Sequence, residues 1–229
     1  MPSKKIIVIS LGGSLIAPAI GFDIKFLKKF QSLILDFLKK DYRFILVCGG
    51  GYTARNYQVA ARKIKKLENE DIDWIGIHTT RLNAHFIKIL FKKFAHIFII
   101  KNPTEKIDWT EKILIAGGWK PGFSTDYDAV CLAKNFQAEA VINLSNIDYV
   151  FDKDPRKFKN AKKITEIDWS RFRKIVGNKW IPGANLPFDP IAAKLAQDLN
   201  LKVCFIKGTN LGELKKVVEG KKFKGTVIG

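Results

Sequence analysis

Three glycine clusters each close a short apolar run. Leu11-Gly12-Gly13-Ser14 follows Lys5–Ser10, and Gly49-Gly50-Gly51-Tyr52-Thr53-Ala54-Arg55 follows Phe44–Cys48. Gly117-Gly118-Trp119-Lys120-Pro121-Gly122 follows Ile113–Ala116. Glycine lets the backbone come close to a ligand and turn its N–H groups toward it, and a helix N-terminus behind the loop adds a dipole that favours anions. One such cluster reads equally well as a tight strand-to-helix turn. Three at equivalent strand ends, in a chain whose 40 Lys and Arg outweigh 22 Asp and Glu to give a net charge of +18, point to phosphate held at several places. Arg55 stands one helical turn beyond the triple glycine, within reach of an anion held there. Asp73, Asp126, Asp128, Asp148 and Asp154 fall at expected loop or element ends. A carboxylate there serves Mg²⁺ or a ribose hydroxyl, or simply caps a turn. Phosphoryl transfer needs no covalent residue, only positioned phosphates, Mg²⁺ and cations against the developing charge, so these parts suit it.

Other chemistries lack their parts. The chain has no G-x-x-x-x-G-K-[ST], no G-x-G-x-x-G, no H-R-D or D-F-G set and no G-x-S-x-G elbow. His78, His85 and His96 are joined by no Cys or carboxylate at ligand spacing, and no residue is assigned as a metal ligand. Cys48, Cys131 and Cys204 lie far apart in apolar sequence, which excludes a disulfide framework and points to a reducing cytoplasm. No apolar run approaches the ~18 residues of a membrane span. The start, MPSKKIIVISLGG, reads as a first strand and not as a signal peptide. The basic runs Arg62–Lys66, Arg156–Lys163 and Lys215–Lys224 raise a second class of function, nucleic-acid binding. Their sparse aromatics and the lack of a recognition motif favour solvated faces instead.

Elements must position these residues. With 229 residues, 47% of them hydrophobic, the chain can bury a core without staples. Strands are expected at Lys5–Ser10, Phe44–Cys48, His96–Ile100, Ile113–Ala116, Ala140–Leu144, Val203–Ile206 and Thr226–Ile228. Helices are expected at Phe26–Lys39, Thr53–Leu67, Ile75–Phe94, Asp128–Phe136 and Pro190–Leu199, the last capped by Asp189 with Pro190 at its first position. The β-α-β rhythm predicts an α/β fold, a three-layer αβα sandwich with a largely parallel central sheet. A junction near Phe136–Ala140 divides one domain into lobes of about 1–137 and 138–229.

Six segments in fixed order carry a resemblance: VISLGGSLI, VCGGGYTAR, DWIGIHTTRLNAH, GGWKPGFSTD, INLSNIDYVFDKDP and FDPIAAKLA. From Ile6 to the C-terminus the chain resembles the amino acid kinase family, and within it the uridylate (UMP) kinases, most closely those of archaeal type. The resemblance implies an acceptor-binding N-terminal lobe and an ATP-binding C-terminal lobe. It also implies the reaction ATP + UMP → ADP + UDP with Mg²⁺ in pyrimidine nucleotide biosynthesis, and a homohexamer in the cytoplasm. By resemblance, Gly12, Gly13 and Ser14 lie near the ATP phosphates. Gly50 contacts the UMP phosphate, and Gly51 and Arg55 stand close to the transferring group. Asp73 holds the UMP ribose. Pro121, Gly122, Phe123, Ser124, Thr125 and Asp126 match a P-G-x-T-T-D run at the uridine site. Ser145, Phe151 and Asp154 meet the adenosine. Gly13, Arg55 and Asp126 are the expected catalytic set.

The chain departs from the family in four places. Tyr127-Asp128 reads as a two-residue insertion, so either Asp126 or Asp128 is the family aspartate. Tyr149 stands where the family has glycine, which requires a different local backbone. Ser10 replaces a phosphate-binding lysine of bacterial relatives. The second family lysine maps near Asp189, leaving Lys120 and Lys179 as candidates by location. Relatives of the same fold that act on isopentenyl phosphate, carbamate or N-acetylglutamate offer other acceptors. No histidine marks Gly49–Gly51 as in the isopentenyl phosphate enzymes, and the PGFSTD segment favours UMP.

Overall fold

The apolar runs become strands covered on both faces, as continuous Val/Ile/Leu stretches in parallel sheets do. The computed structural model of the chain describes residues 5–179 and 186–229. In order, the elements are β1 (Ile6–Leu11), α1 (Gly13–Ile16), α2 (Ile24–Leu38), β2 (Arg43–Cys48), α3 (Gly51–Ile64), α4 (Asn69–Leu90) and β3 (Ile113–Ala116). They continue with α5 (Thr125–Asn135), β4 (Ala140–Ser145), β5 (Val150–Phe151), β6 (Lys163–Ile164), β7 (Glu166–Ile167) and α6 (Trp169–Val176). The last are α7 (Pro190–Asp198), β8 (Lys202–Lys207), α8 (Leu211–Val218) and β9 (Thr226–Ile228).

Seven strands form one sheet in the order β3-β2-β1-β4-β8-β9-β7. From β3 to β8 every pairing is parallel. Only β9 runs antiparallel to its neighbour β8. The chain winds outward from β1 to β3, then returns to place β4 on the other side of β1. This reversal is the topological switch point at which open α/β sheets bind ligands, outside the carboxyl ends of the strands.

Alternating side-chain direction builds the two outer layers. Ile7, Ile9 and Leu11 of β1 join Phe30 and Ile34 of α2, Ile87 of α4 and Leu214 of α8. Val8 of β1 faces the other way, with Val130 of α5, Phe172 of α6 and Ala192 of α7. The expected αβα sandwich is therefore observed. Free Cys48, Cys131 and Cys204 are buried in it. No described helix is long and apolar enough to cross a membrane.

Several expectations are corrected. α4 begins at Asn69, not near Ile75, with Glu70 and Asp71 in its first turn. Acids there favour the helix dipole. Asp73 consequently lies inside a helix and not in a loop. α5 begins at Thr125, because Ser124 caps it by accepting the Tyr127 amide. Residues 95–100 meet β3 through isolated bridges at Ala95 and Ile100. Ile97 and Phe98 between them point to solvent, so no ladder forms. Helices α6 and α8 and the short strands β5 to β7 were not expected. The first four residues of the basic N-terminal stretch lie outside the described residues.

Candidate active site

β1 and β2 are parallel and in register, with Leu11 opposite Cys48, so their glycine loops emerge side by side. They pack backbone against backbone. A Cβ on Gly49 would come 2.6 Å from the Gly13 nitrogen, one on Gly12 would come 2.7 Å from the Leu144 carbonyl oxygen, and one on Gly13 would overlap the Gly51 amide. Gly51 has φ +66°, a conformation other residues rarely adopt. These glycines are thus needed first for the loops to meet each other. Asn83 of α4, buried, donates from Nδ2 to the carbonyls of Gly49 (2.7 Å) and Gly50 (3.2 Å). It holds those carbonyls toward α4.

Above the loops lies one continuous cavity of about 1410 Å³. That exceeds the ~300–1,000 Å³ usual for one small ligand and leaves room for more than one. Gly12, Gly13, Ser14, Gly50, Gly51 and Asp126 line it. Asp73 of α4, Phe123 and Ser124 of the β3–α5 connection and Thr125 at the start of α5 line it, as do Ser145 at the end of β4 and Phe151 and Asp154 beyond it. Arg55 also lines it, exposed, its guanidinium 5.0 Å from the Tyr52 ring. Among the described residues it makes no ion pair. Phe123 is braced by Tyr127 (ring centroids 4.5 Å) and Trp119 (5.1 Å).

Three expected residues do not line the cavity. Pro121 and Gly122 form the outer turn, where Gly122 (φ +86°) donates its amide to Asp73 Oδ2 at 2.9 Å. Burial raises the Asp73 carboxyl above its usual range, opposed by that amide. Asp128 is fully buried behind the loop. Helix α5 runs unbroken through Tyr127 and Asp128. Asp126 alone of the pair faces the cavity.

Parity explains how Asp126 is held. Ser10 of β1 and Asn143 of β4 are register partners. Both alternate away from the α2 face, toward α5. Ser10 Oγ donates to Asp126 Oδ1 at 3.1 Å and Asn143 Nδ2 to the same oxygen at 3.0 Å. Burial, then the nearby Asp189 carboxylate, push Asp126 up to about 7, while Ser10, the Asp189 amide and Asn143 oppose the shift. Asp189 caps α7, accepting from the amides of Ile191 (2.6 Å) and Ala192 (2.8 Å). Asn143 was missed, although a lone polar residue in the apolar run Ala140–Leu144 is a readable signal.

The cations differ from expectation. Lys120 lies over the Trp119 ring, 4.0 Å from its centroid, away from the cavity. Lys179 is exposed and borders the undescribed residues. Besides Arg55, the cations that line the cavity are instead Lys153, Arg156, Lys157 and Lys174. Asp154 is already held by Arg156, whose Nε and Nη2 donate to its two oxygens at 3.0 Å each. Tyr149 needs no positive φ. Among the described residues no group of three His, Cys, Asp or Glu side chains is placed to hold a metal.

The comparisons agree with this geometry. A uridylate kinase from Thermococcus sibiricus is 32% identical over 97% of this chain and 98% of its own length. One from Methanococcus aeolicus is 32% identical over the same shares. The crystal structure of uridylate kinase from Archaeoglobus fulgidus superposes with a TM-score of 0.81 at 30% identity, covering 97% of this chain and 99% of that one. With paired glycine loops at the switch point of a parallel sheet, and residues 5–207 matching the family's sequence profile, the chain belongs to the amino acid kinase family.

Proposed function

We propose that this chain transfers the γ-phosphoryl group of ATP to UMP, forming ADP and UDP. The observation that carries the reading is the single cavity lined by the glycine loops after β1 and β2, by Asp73 and Phe123, and by Phe151 and Asp154. UMP occupies the end walled by Phe123, with its ribose on the free oxygen of Asp73. The adenosine of ATP lies against Phe151, and Lys153, Arg156, Lys157 and Lys174 attract its phosphates. Mg²⁺ arrives as the complex with ATP. A UMP phosphate oxygen forms the new bond to the γ-phosphorus, and the bond to the β–γ bridging oxygen breaks with ADP keeping the electron pair. The loops fix both phosphates in line. Arg55 supplies charge to the transferring group. Asp126, tied to both central strands, stands where the two halves meet, so residues up to about 137 serve the acceptor and the rest the donor.

The chain works in the cytoplasm as a step of pyrimidine nucleotide synthesis, and as an oligomer, a hexamer by family likeness. Support for association is an apolar face around the α1–α2 loop and α4. Ile20 is 99% exposed, Phe22 and Ile24 follow it exposed, and Leu82 and Ile89 are exposed on α4, whose Phe86 ring lies 5.2 Å from that of Phe22; such a cluster is apt to be covered by a partner. The activity is tested by incubating the protein with γ-labelled ATP, Mg²⁺ and UMP and separating the nucleotides. Label in UDP is the expected result. Label released only as inorganic phosphate, with none in UDP, would contradict the reading.

A further inference from the structure

The β3–α5 loop carries the wall of the acceptor pocket, and its first turn is pinned at the backbone of Gly118 and Trp119. The Gly118 amide donates to Thr80 Oγ1 at 2.6 Å. Arg81 donates from Nε to the Gly118 carbonyl (3.1 Å) and from Nη2 to the Trp119 carbonyl (2.8 Å). The Trp119 amide donates to Asp128 Oδ2 at 3.2 Å. Thus the N–H and C=O of both Gly118 and Trp119 bond to side chains of α4 and α5, with no strand or helix partner. The fit is tight: a Cβ on Gly117 would come 2.9 Å from Arg81 Cγ, and one on Gly118 3.0 Å from Thr80 Oγ1.

Asp128 is the costly member of this set. Its side chain is fully buried, and its Oδ1 has no hydrogen-bond partner among the described residues. A buried carboxyl with an idle oxygen is unfavourable for the fold itself. What it contacts is the turn that leads into Phe123, Ser124 and Thr125, the residues facing the acceptor end of the cavity.

We propose that Asp128 is a positioning residue for the acceptor: with Arg81 it fixes the Gly118–Trp119 turn, and through that turn it sets where Phe123 and Ser124 stand against the bound nucleoside monophosphate. It touches neither substrate nor the reacting atoms. The assignment of the acceptor to this end rests on the function proposed above; the pinning of the turn does not. Removing the carboxyl therefore loosens the loop and weakens acceptor binding, while the glycine loops, Arg55 and the donor end stay in place.

Two measurements on Asp128→Ala and Asp128→Asn test this. In steady-state kinetics, Asp128→Ala should raise KM for UMP about tenfold, the size of one lost buried hydrogen bond. Its kcat and its KM for ATP should stay within about twofold. Asp128→Asn keeps an acceptor for the Trp119 amide and should restore KM. In hydrogen exchange, the amides of Gly118 and Trp119 should exchange at least about tenfold faster in Asp128→Ala and near the wild-type rate in Asp128→Asn. Unchanged exchange in Asp128→Ala would overturn the pinning. Faster exchange with unchanged KM for UMP, or with kcat and both KM values lost together, would overturn the link to the acceptor. Failure of wild type to use UMP while the exchange prediction holds would overturn the acceptor assignment and leave the pinned turn established.

Discussion

Asp128→Asn should make the protein more stable, and increasingly so as pH rises. Burial pushes the Asp128 carboxyl from 3.8 up to about 8. Besides Arg81, which opposes the shift, the charged groups facing it are Asp126 and Asp189, whose like charges add to it. An acid whose folded value is raised favours folding only below its unfolded value. That contribution is lost as pH climbs from about 4 to about 8, because the unfolded chain gives up its proton first. At ~1.4 kcal/mol per pH unit, a shift of about four units caps the cost at ~6 kcal/mol at pH 8. Local relaxation around a buried group reduces this to about 3 kcal/mol. Asparagine keeps the volume and the acceptor for the Trp119 amide but has no charge to bury. At pH 5 the two proteins should differ by about 1 kcal/mol or less. At pH 8 the variant should be ahead by about 3 kcal/mol, which is roughly 6–12 °C in Tm for a domain of this size. Thermal and urea unfolding of both proteins between pH 5 and 8 measures the difference. An advantage that stays constant across that range, or a variant less stable at pH 8, would refute the reasoning.

Three further outcomes follow from the site. Arg55→Ala should lower kcat/KM about 100-fold, the scale of losing one preorganised charge at a transition state. Its Tm should not move, since Arg55 is exposed and, among the described residues, its side chain makes no hydrogen bond or ion pair and lies 5.0 Å from the Tyr52 ring. Asp73→Ala should raise KM for UMP at least about tenfold by removing both the Gly122 amide's acceptor and the ribose contact, which initial rates at varied UMP will show. Gly13→Ala should destabilise the fold by about 1–3 kcal/mol or more and abolish transfer, because its Cβ would lie 2.5 Å from the Gly49 carbonyl carbon; urea midpoints test it.

Much of the fold was legible because the sheet is parallel and doubly covered. Ile113–Ala116 and Thr226–Ile228 were read with their observed bounds, and the Asp189-Pro190 cap was read correctly. Short elements were not, since two-residue strands such as β5 and β6 leave no periodicity to detect. The true start of α4 is marked by the acidic first turn at Glu70 and Asp71 and not by apolar spacing. In the site, the glycine clusters, Arg55, Asp73 and Phe123 were brought to one cavity. Choosing between Asp126 and Asp128 required helix phase: two residues apart on α5, they point to different sides. The role of Thr80, Arg81 and Asn83 was hidden for a similar reason. Each acts on a loop more than thirty residues away, through backbone atoms that sequence spacing does not reveal.

The central claim is that the acceptor is UMP. A coupled ADP-release assay with ATP and Mg²⁺, run in parallel with UMP, CMP, AMP, isopentenyl phosphate and N-acetylglutamate, tests it most directly. Saturable turnover with UMP well above the other four is the predicted result. Turnover that favours another acceptor, or none with UMP, would contradict it.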